Sequence, residues 1–472
     1  MAVAIPAVPM FVLVVRVALL GHVFLGGDLA LADLRVRSAM RLQELLGPYD
    51  YRGWMHPGPA YFYLLAAFRV VVGDPGRSQF VCDLVVDMAS MLGVVWVVRR
   101  QAGRWPALWA SLCVTLLAWS MARDMTLSAL INPWSAEVVV FPLVLFCILG
   151  AAATKPSWAA LVGTALVGTF TVQTDLATAP LVAVLGGAAL VAAVVRTRRG
   201  SLRLPWPTLG AGVGSVFLLW LPPLVQQATT RRGNLTQIWE FFRHHTGHLP
   251  LTGGLKLELA ADQYLLGYPG GWLSLLPGLT DVHAAVILVI VLALVAAGVV
   301  GGMLARSHLP VAMGVASLLG VVVGTYAVAR IYGPVLPYYL QWEIAVPVEA
   351  AIGAGVGMLC LWRPPPLRLA LVVAGVTLAT VFCLKAFELP VAQVNDAAVA
   401  QAWHLVAPQL PLRRQHVLVD DRAWAGEDIQ FGLVDELVTH GYRAFVTPPW
   451  MHIIQSTYIT TKPQAVTVTL LA

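Results

Sequence analysis

VHAAVILVIVLALVAAGVVGGML, residues 282–304, is an unbroken run of apolar and small side chains whose single ionisable member is His283. A helix needs roughly 20 such residues to cross the hydrocarbon core of a membrane. The stretch therefore predicts a transmembrane helix, and comparable stretches recur along the chain up to about residue 387.

The composition of the whole chain indicates that lipid is the solvent for most of it. Of 472 residues, 58% are hydrophobic and only 11% are charged, whereas a soluble protein carries about 25% charged residues. We predict an all-α polytopic membrane protein of about eleven transmembrane helices. The predicted spans are residues 6–26, 79–98, 105–122, 136–153, 157–172, 177–195, 207–224, 282–304, 309–328, 341–362 and 368–387, while 58–73 is short and lies at the interface or re-enters.

Basic residues in the connecting loops predict the orientation. Arginines and lysines collect in alternate loops that contain no Asp or Glu, and the positive-inside rule makes those loops cytoplasmic. We therefore predict a cytoplasmic N-terminus and an extracytoplasmic C-terminus. We predict that the membrane is the plasma membrane. The basic residues are Arg99, Arg100, Arg104, Lys155, Arg196, Arg198, Arg199, Arg203, Arg306, Arg363 and Arg368.

Charged residues inside the predicted spans need partners, because each is costly in lipid. Arg16 lies near the middle of the first span, which we predict to be a retained helix since no cleavage site follows it. Asp83 and Asp87 lie one turn apart in the second span. We predict that Arg16 pairs with Asp87 as a structural lock, in preference to a proton relay.

The chain divides into two regions, a transmembrane domain over residues 1–387 and an extracytoplasmic subdomain over 388–472. In the second region, 416–419 and 443–446 are typical of strands and 431–440 of a helix capped by Gly441. This pattern predicts a small α/β subdomain. Within the first region, 225–281 forms a long outer segment whose aromatic and basic residues predict an interfacial amphipathic helix.

Several function classes are excluded by what the sequence does not contain. No run of basic residues resembles a nucleic-acid-binding arm, and none of the five cysteines forms a CxxC pair. There is no Walker A loop, dinucleotide fingerprint, HExxH or GxSxG motif. An enzyme of this sequence would take its donor from the membrane. No cofactor is indicated, and the use of a divalent metal stays open.

The first outer loop, residues 27–58, carries the densest set of chemistry-bearing side chains. From Leu29 its pattern is helical, so Asp33 and Arg37 lie one turn apart, with Arg35 between them. Asp28 follows a Gly-Gly pair, where it could cap the helix or act as a base that activates a hydroxyl for phosphate-linked chemistry. Both interpretations stay open at this stage.

Two basic-aromatic groups extend this candidate site. The run from Tyr51 to Pro59 supplies Arg52, Trp54 and His56 at the depth of the lipid headgroups, and a second patch contains Arg330 and Tyr338. Such patches suit a lipid phosphate and a stacked sugar ring, and they also suit plain anchoring at the interface.

These residues resemble a known superfamily. The acid just after the first helix resembles the catalytic acid of GT-C membrane glycosyltransferases, which use polyprenyl-phosphate-linked sugars. The string Gly47-Pro-Tyr-x-x-Arg52-Gly-Trp54-x-His56-Pro-Gly-Pro59-x-x-x-Tyr63 is similar to a group of uncharacterised actinobacterial membrane proteins. Asn132-Pro133-Trp134, Leu221-Pro222-Pro223 and Gly233-Asn234-Leu235 are similar to that group too. The chain departs from the superfamily's acidic doublet, since Leu29 follows Asp28.

The resemblance implies a GT-C-like fold and the transfer of a sugar from a polyprenyl-phosphate donor to an envelope glycan or lipid acceptor, in an arabinofuranosyltransferase-like manner. It implies Asp28 as the base, with Asp33 as the alternative. Arg35, Arg37, Arg52 and Arg330 would hold the phosphate, and Trp54, His56 and Tyr338 would position the substrate. Two other classes stay open, a transporter or flippase of lipid-linked sugars and a non-catalytic scaffold for envelope assembly.

Overall fold

The structure is a computed structural model that describes residues 1–122, 129–155, 157–199, 206–245, 247, 249–262, 281–333, 335–410, 416–421, 427–446, 456–459 and 466–470. Within these ranges the chain is overwhelmingly helical. Its α-helices are α1 Ala4–Ala18, α2 Gly27–Met40, α3 Ala60–Val72, α4 Pro75–Ala102, α5 Arg104–Met121, α6 Ser135–Val138, α7 Val140–Ala153, α8 Trp158–Thr174, α9 Ala179–Arg198, α10 Trp206–Thr229, α11 Asn234–His244, α12 Leu251–Asp262, α13 Asp281–Leu304, α14 His308–Ala329, α15 Ala345–Leu361, α16 Pro365–Glu388, α17 Ala397–Val406 and α18 Glu427–Thr439.

Short strands and 3-10 turns connect or follow these helices. The strands are β1 Tyr49–Asp50, β2 Trp54–Met55, β3 His416–Asp421, β4 Arg443–Val446 and β5 Val466–Leu470. The 3-10 helices in the described ranges are Ala129–Ile131, Leu176–Thr178, Pro337–Ile344, Val391–Val394, Ala407–Gln409 and Ser456–Tyr458.

Each predicted span corresponds to a helix of the structure. Eight helical stretches in the described residues are long and apolar enough to cross a membrane, and α1, α3 and α8 are apolar but shorter. The chain is therefore a multi-pass membrane protein, and the all-α fold class is confirmed. The eight stretches are Pro75–Ala102, Ser135–Ala153, Leu176–Arg198, Trp206–Thr229, Val282–Leu304, His308–Ala329, Tyr338–Leu361 and Pro365–Glu388.

The first helix is shorter than predicted, and this changes the environment of Arg16. α1 ends at Ala18, which places Arg16 in its last turn. Its guanidinium donates to the carbonyl oxygens of Ala386 and Leu389 at the end of α16. The predicted pairing of Arg16 with Asp87 is therefore wrong, because the unpaired carbonyls at a helix C-terminus supply the compensation that the charge needs.

The C-terminal region contains the predicted α/β subdomain. β3 lies between β4 and β5, and both pairs are parallel, with Val417 opposite Ala444 and Val466. α18 connects β3 to β4 and ends before Gly441, whose φ of +87° suits the glycine that terminates a helix. The sequence did not predict β5. The division of the chain after residue 387 stays a prediction.

Candidate active site

The first outer loop forms a small hairpin. β1 pairs antiparallel with β2, which sets Asp50 opposite Trp54. Gly53 completes the connection with a φ of +92°, the left-handed conformation that a three-residue loop needs at this position. The Asp50 carboxylate accepts the backbone N–H of Arg52 at 2.8 Å, which stabilises the turn.

The hairpin is held against α11 by one amide side chain. Asn234 donates to the Met55 carbonyl oxygen at 2.8 Å and accepts the Met55 N–H at 2.9 Å. It thereby takes the place of a neighbouring strand. α11 is the helix predicted to be amphipathic, and the rings of Phe241 and Phe242 lie 6.1 Å from the Trp54 ring.

A cavity of about 350 Å³ lies between the hairpin, α11, the last turn of α14 and the 3-10 helix that precedes α15. Its wall combines carboxylates, guanidinium groups and aromatic rings. Six of the nine residues that the sequence predicted for the site line this cavity. They are Asp28, Arg52, Trp54, His56, Arg330 and Tyr338.

Asp28 lies in the first turn of α2 and faces the cavity. Its Oδ1 accepts the Tyr49 hydroxyl at 2.5 Å. Burial raises the pKa of this carboxyl above its ordinary value, the hydrogen bonds from Tyr49 and Trp134 oppose the rise, and the negative charge of Asp428 adds to it. A carboxylate with a raised pKa and a fixed orientation is suited to accept a proton from a bound hydroxyl.

His56 is buried and neutral. Its Nδ1 accepts the Leu176 N–H at 2.8 Å, so the proton of the neutral ring lies on Nε2. Burial lowers the pKa of His56 to about 3. Asp175 lies beside it, with 3.9 Å between its Oδ1 and His56 Nδ1, and burial raises the pKa of Asp175 to about 7. His56 therefore supplies a hydrogen-bond donor at neutral pH and no charge.

Arg52 is anchored from several sides. Its Nη1 lies 3.2 Å from Asp50 Oδ2, and its Nη2 donates to the Tyr332 carbonyl oxygen at 3.3 Å. The guanidinium carbon lies 4.6 Å from the centre of the Tyr51 ring and 4.7 Å from that of Tyr339. The two rings and the two polar contacts fix the Arg52 guanidinium in the cavity wall.

Two other donors in the wall have no hydrogen-bond acceptor among the residues that the structure describes. Among the described residues, no carboxylate lies within 4.0 Å of the Arg330 guanidinium, whose carbon lies 5.1 Å from the centre of the Tyr326 ring. The Trp54 side chain is 5% exposed, and within the described part of the chain its indole N–H has no hydrogen-bond acceptor. A buried donor without an acceptor is destabilising, so the Trp54 N–H indicates a bound acceptor. The exposed guanidinium of Arg330 adds a positive charge to the same cavity wall.

Comparison with solved structures identifies the fold. ArnT from Cupriavidus metallidurans bound to undecaprenyl phosphate matches with a TM-score of 0.57 and 15% identity, over 95% of this chain and 86% of that one. The apo state of ArnT matches with a TM-score of 0.52 and 13% identity over the same shares. The chain has the GT-C fold. No family model and no curated protein matches the sequence.

A mycobacterial structure is also similar. The arabinofuranosyltransferase AftD matches with a TM-score of 0.44 and 14% identity, over 93% of this chain and 31% of that one. The actinobacterial grouping inferred from the hairpin motif stays a prediction.

Three of the predicted site residues lie elsewhere in this GT-C fold. Asp33 is fully buried and faces Arg37 at 2.8 Å and Arg69 at 3.6 Å. Arg35 pairs with Glu44 at 3.1 Å. None of the three predicted residues, Asp33, Arg35 and Arg37, lines the cavity, so their predicted roles find no support in its geometry.

Several cavity residues were not predicted for the site. Tyr49 and Trp134 lie within the stretches on which the family resemblance rests, whereas Asp175 lies between two predicted spans and was not assigned to the site. For Phe241 and Phe242 the sequence predicted only anchoring at the membrane interface. In the described residues, no three His, Cys, Asp or Glu side chains form a group that could hold a metal ion, and metal use stays open.

Proposed function

We propose that this chain is a membrane glycosyltransferase that moves a sugar from a polyprenyl-phosphate donor to an envelope glycan or lipid. The observation that carries the proposal is that Asp28 shares one cavity with the Arg330 guanidinium and the Trp54 indole N–H, neither of which has a hydrogen-bond acceptor among the described residues. A base for a hydroxyl and an open anion site are what such a transfer needs.

The reaction follows from this arrangement. The acceptor oxygen bonds to the anomeric carbon of the donor sugar, the bond from that carbon to the phosphate oxygen breaks, and the polyprenyl phosphate leaves with its electron pair. Asp28 takes the hydroxyl proton. Arg52 and Arg330 stabilise the charge that develops on the leaving phosphate, and the His56 Nε2–H and Trp54 N–H orient it.

The nature of the donor is supported by the fold and by the cavity wall. The ArnT structure that shares the GT-C fold is bound to undecaprenyl phosphate. In this chain the cavity wall also contains the apolar rings of Phe241 and Phe242 beside the cations. An amphipathic site of this kind suits a lipid phosphate better than a free sugar nucleotide. Among lipid-linked sugars, an arabinofuranose is our first candidate for the transferred group.

A transfer assay tests the function. The purified protein in nanodiscs receives a radiolabelled polyprenyl-phosphate sugar and an extract of envelope glycans. We expect label to move to the glycan fraction with release of polyprenyl phosphate. Transfer from a nucleotide sugar in the absence of lipid donor, or no transfer from any pentose or hexose donor, would argue against the proposal.

We propose further that the site faces the outside of the plasma membrane. In a background without the five native cysteines, Leu405→Cys in the C-terminal region and Arg199→Cys after α9 report the two sides, since both positions are exposed. We expect an impermeant maleimide to label intact cells at 405 and to reach 199 only after lysis. The opposite pattern would reverse the orientation.

The Trp54 indole N–H gives a specific test of the anion site. We expect Trp54→Phe to weaken binding of polyprenyl phosphate by about 1.5–3 kcal/mol, the contribution of a hydrogen bond to a charged group, while the ring packing stays in place. Isothermal titration in detergent micelles measures the change. Trp239→Phe serves as the control, because Trp239 is 68% exposed on α11 and does not line the cavity.

A further inference from the structure

The C-terminal helix α18 packs against the segment that leads into α2 and therefore into Asp28. A Cβ atom at Gly432 would lie 2.6 Å from the carbonyl oxygen of Leu25 and would overlap the Val399 side chain. Only glycine allows this approach without displacement of the backbone. Leu25 lies three residues before Asp28, so the contact is made directly beside the proposed base.

The backbone of the same segment is hydrogen-bonded to the C-terminal region at Phe24. The Phe24 N–H donates to the Asn395 side-chain oxygen at 2.8 Å, and the Asp396 N–H donates to the Phe24 carbonyl oxygen at 3.0 Å. Residues 20–26 belong to no helix or strand. The C-terminal region thus provides hydrogen bonds that the segment does not obtain from regular structure of its own.

Charged groups fasten α18 on both sides of this segment. His22 Nδ1 lies 2.5 Å from Asp74 Oδ2 and its Nε2 lies 2.9 Å from Glu436 Oε1. Hydrogen bonds to these two carboxylates raise the pKa of His22 to about 10, so the ring is a cation at neutral pH. Farther along α2, Arg37 Nη2 lies 3.2 Å from Asp435 Oδ1 of α18.

Carboxylates from the C-terminal region also lie at the start of α2. A Cβ atom at Gly26 would overlap the Asp396 carboxylate, and one at Gly27 would overlap that of Asp428. Gly27 has a φ of +48°, so the backbone just before Asp28 adopts the left-handed conformation. Negative groups at a helix N-terminus are favourable, and here they come from another part of the chain, since Gly26 has no side chain to cap α2.

We propose that α18 is a positioning element for Asp28, which holds residues 22–28 in place through Gly432 and the His22–Glu436 ion pair. The inference rests on the proposed role of Asp28 as the base. It gives the C-terminal region a part in turnover through the position of the base. Donor binding is independent of it, because Arg330 and Trp54 belong to other elements.

The test uses Gly432→Val in the full chain, with Gly187→Val as the matched control, since a Cβ at Gly187 meets nothing within 4 Å. We expect Gly432→Val to lower kcat by about 10–100-fold, the effect of a misplaced catalytic group. Binding of polyprenyl phosphate should stay within twofold of wild type. Hydrogen exchange of residues 22–30 should be faster than in wild type, while Gly187→Val should match wild type in every measurement.

A second variant decides the matter if Gly432→Val does not fold. Glu436→Gln removes one charge from the His22 pair and changes no packing volume, and we expect it to shift kcat and exchange in the same direction with donor binding unchanged. Wild-type kcat and exchange in the folded variants would overturn the positioning role. That result would leave the proposed function standing, because the Asp28→Asn variant tests it independently.

Discussion

Asp28→Asn should lower turnover by on the order of 10²–10⁴-fold, since the amide keeps the size of the carboxylate and loses its ability to accept a proton. The fold should survive, because Asn fits the first turn of α2 and can still accept the Tyr49 hydroxyl. Release of polyprenyl phosphate from a labelled donor measures turnover. Donor binding by the same sample should remain close to that of wild type.

The control for this prediction is Asp33→Asn. Asp33 is buried between Arg37 and Arg69 and lies outside the cavity. Its amide variant leaves buried guanidinium groups short of a counter-charge, so we expect lower thermal stability and, in the folded fraction, nearly normal turnover. A dead Asp33→Asn beside an active Asp28→Asn would transfer the role of base to Asp33. Full activity of both variants would contradict the proposed mechanism, because neither carboxylate would then be the base.

The pH profile gives an independent signature of the base. Burial raises the pKa of Asp28, and a base works only when deprotonated, so kcat/KM should fall as the pH drops through that raised pKa. Asp175, with a pKa of about 7, titrates in the same cavity. Asp175→Asn separates the two: the acid limb should persist in this variant if Asp28 causes it.

The two arginines of the cavity wall should each contribute strongly to donor binding. We expect Arg330→Ala to weaken polyprenyl-phosphate binding by about 1.5–3 kcal/mol, or about 10–150-fold, because a charge-assisted hydrogen bond disappears. Arg52→Ala should weaken it by a similar amount. Lysine at either position should restore binding only in part, since an ammonium group lacks the planar fork of a guanidinium.

Arg231→Ala is the matched control for charge alone, because Arg231 is exposed and lies outside the cavity. It should change binding by no more than the small effect of a remote, screened charge. Unchanged binding in both Arg330→Ala and Arg52→Ala would exclude these arginines from the donor site. Equal losses in all three variants would point to general attraction to the membrane surface.

The helical spans could be predicted because lipid imposes one simple rule on the sequence. A stretch such as 282–304 must be helical and about 20 residues long, so apolar length alone locates α13. The end of α1 could not be predicted in this way. Residues 20–26 are largely apolar yet belong to no helix, because they pack against α18 and the segment around Asp396, nearly 400 residues later in the chain.

The site could be predicted from the sequence only in part, because contacts between distant parts of the chain complete it. One loop contains Asp28, Arg52, Trp54 and His56, so the sequence predicted these four residues together as part of the site. Helical spacing grouped Asp33, Arg35 and Arg37 with them, but these side chains point to other faces of α2, toward Glu44, Arg69 and Asp435. Asp175 joins the site through the fold, which sequence spacing does not reveal.

A density map of the protein with polyprenyl phosphate in nanodiscs tests the central claim most directly. We expect the phosphate within hydrogen-bond reach of Arg330 and the Trp54 indole N–H, with the first isoprene units against Phe241 and Phe242. Asp28 should face the side of the phosphate from which an acceptor can approach. Lipid density at another place, with this cavity empty at saturating ligand, would contradict the account.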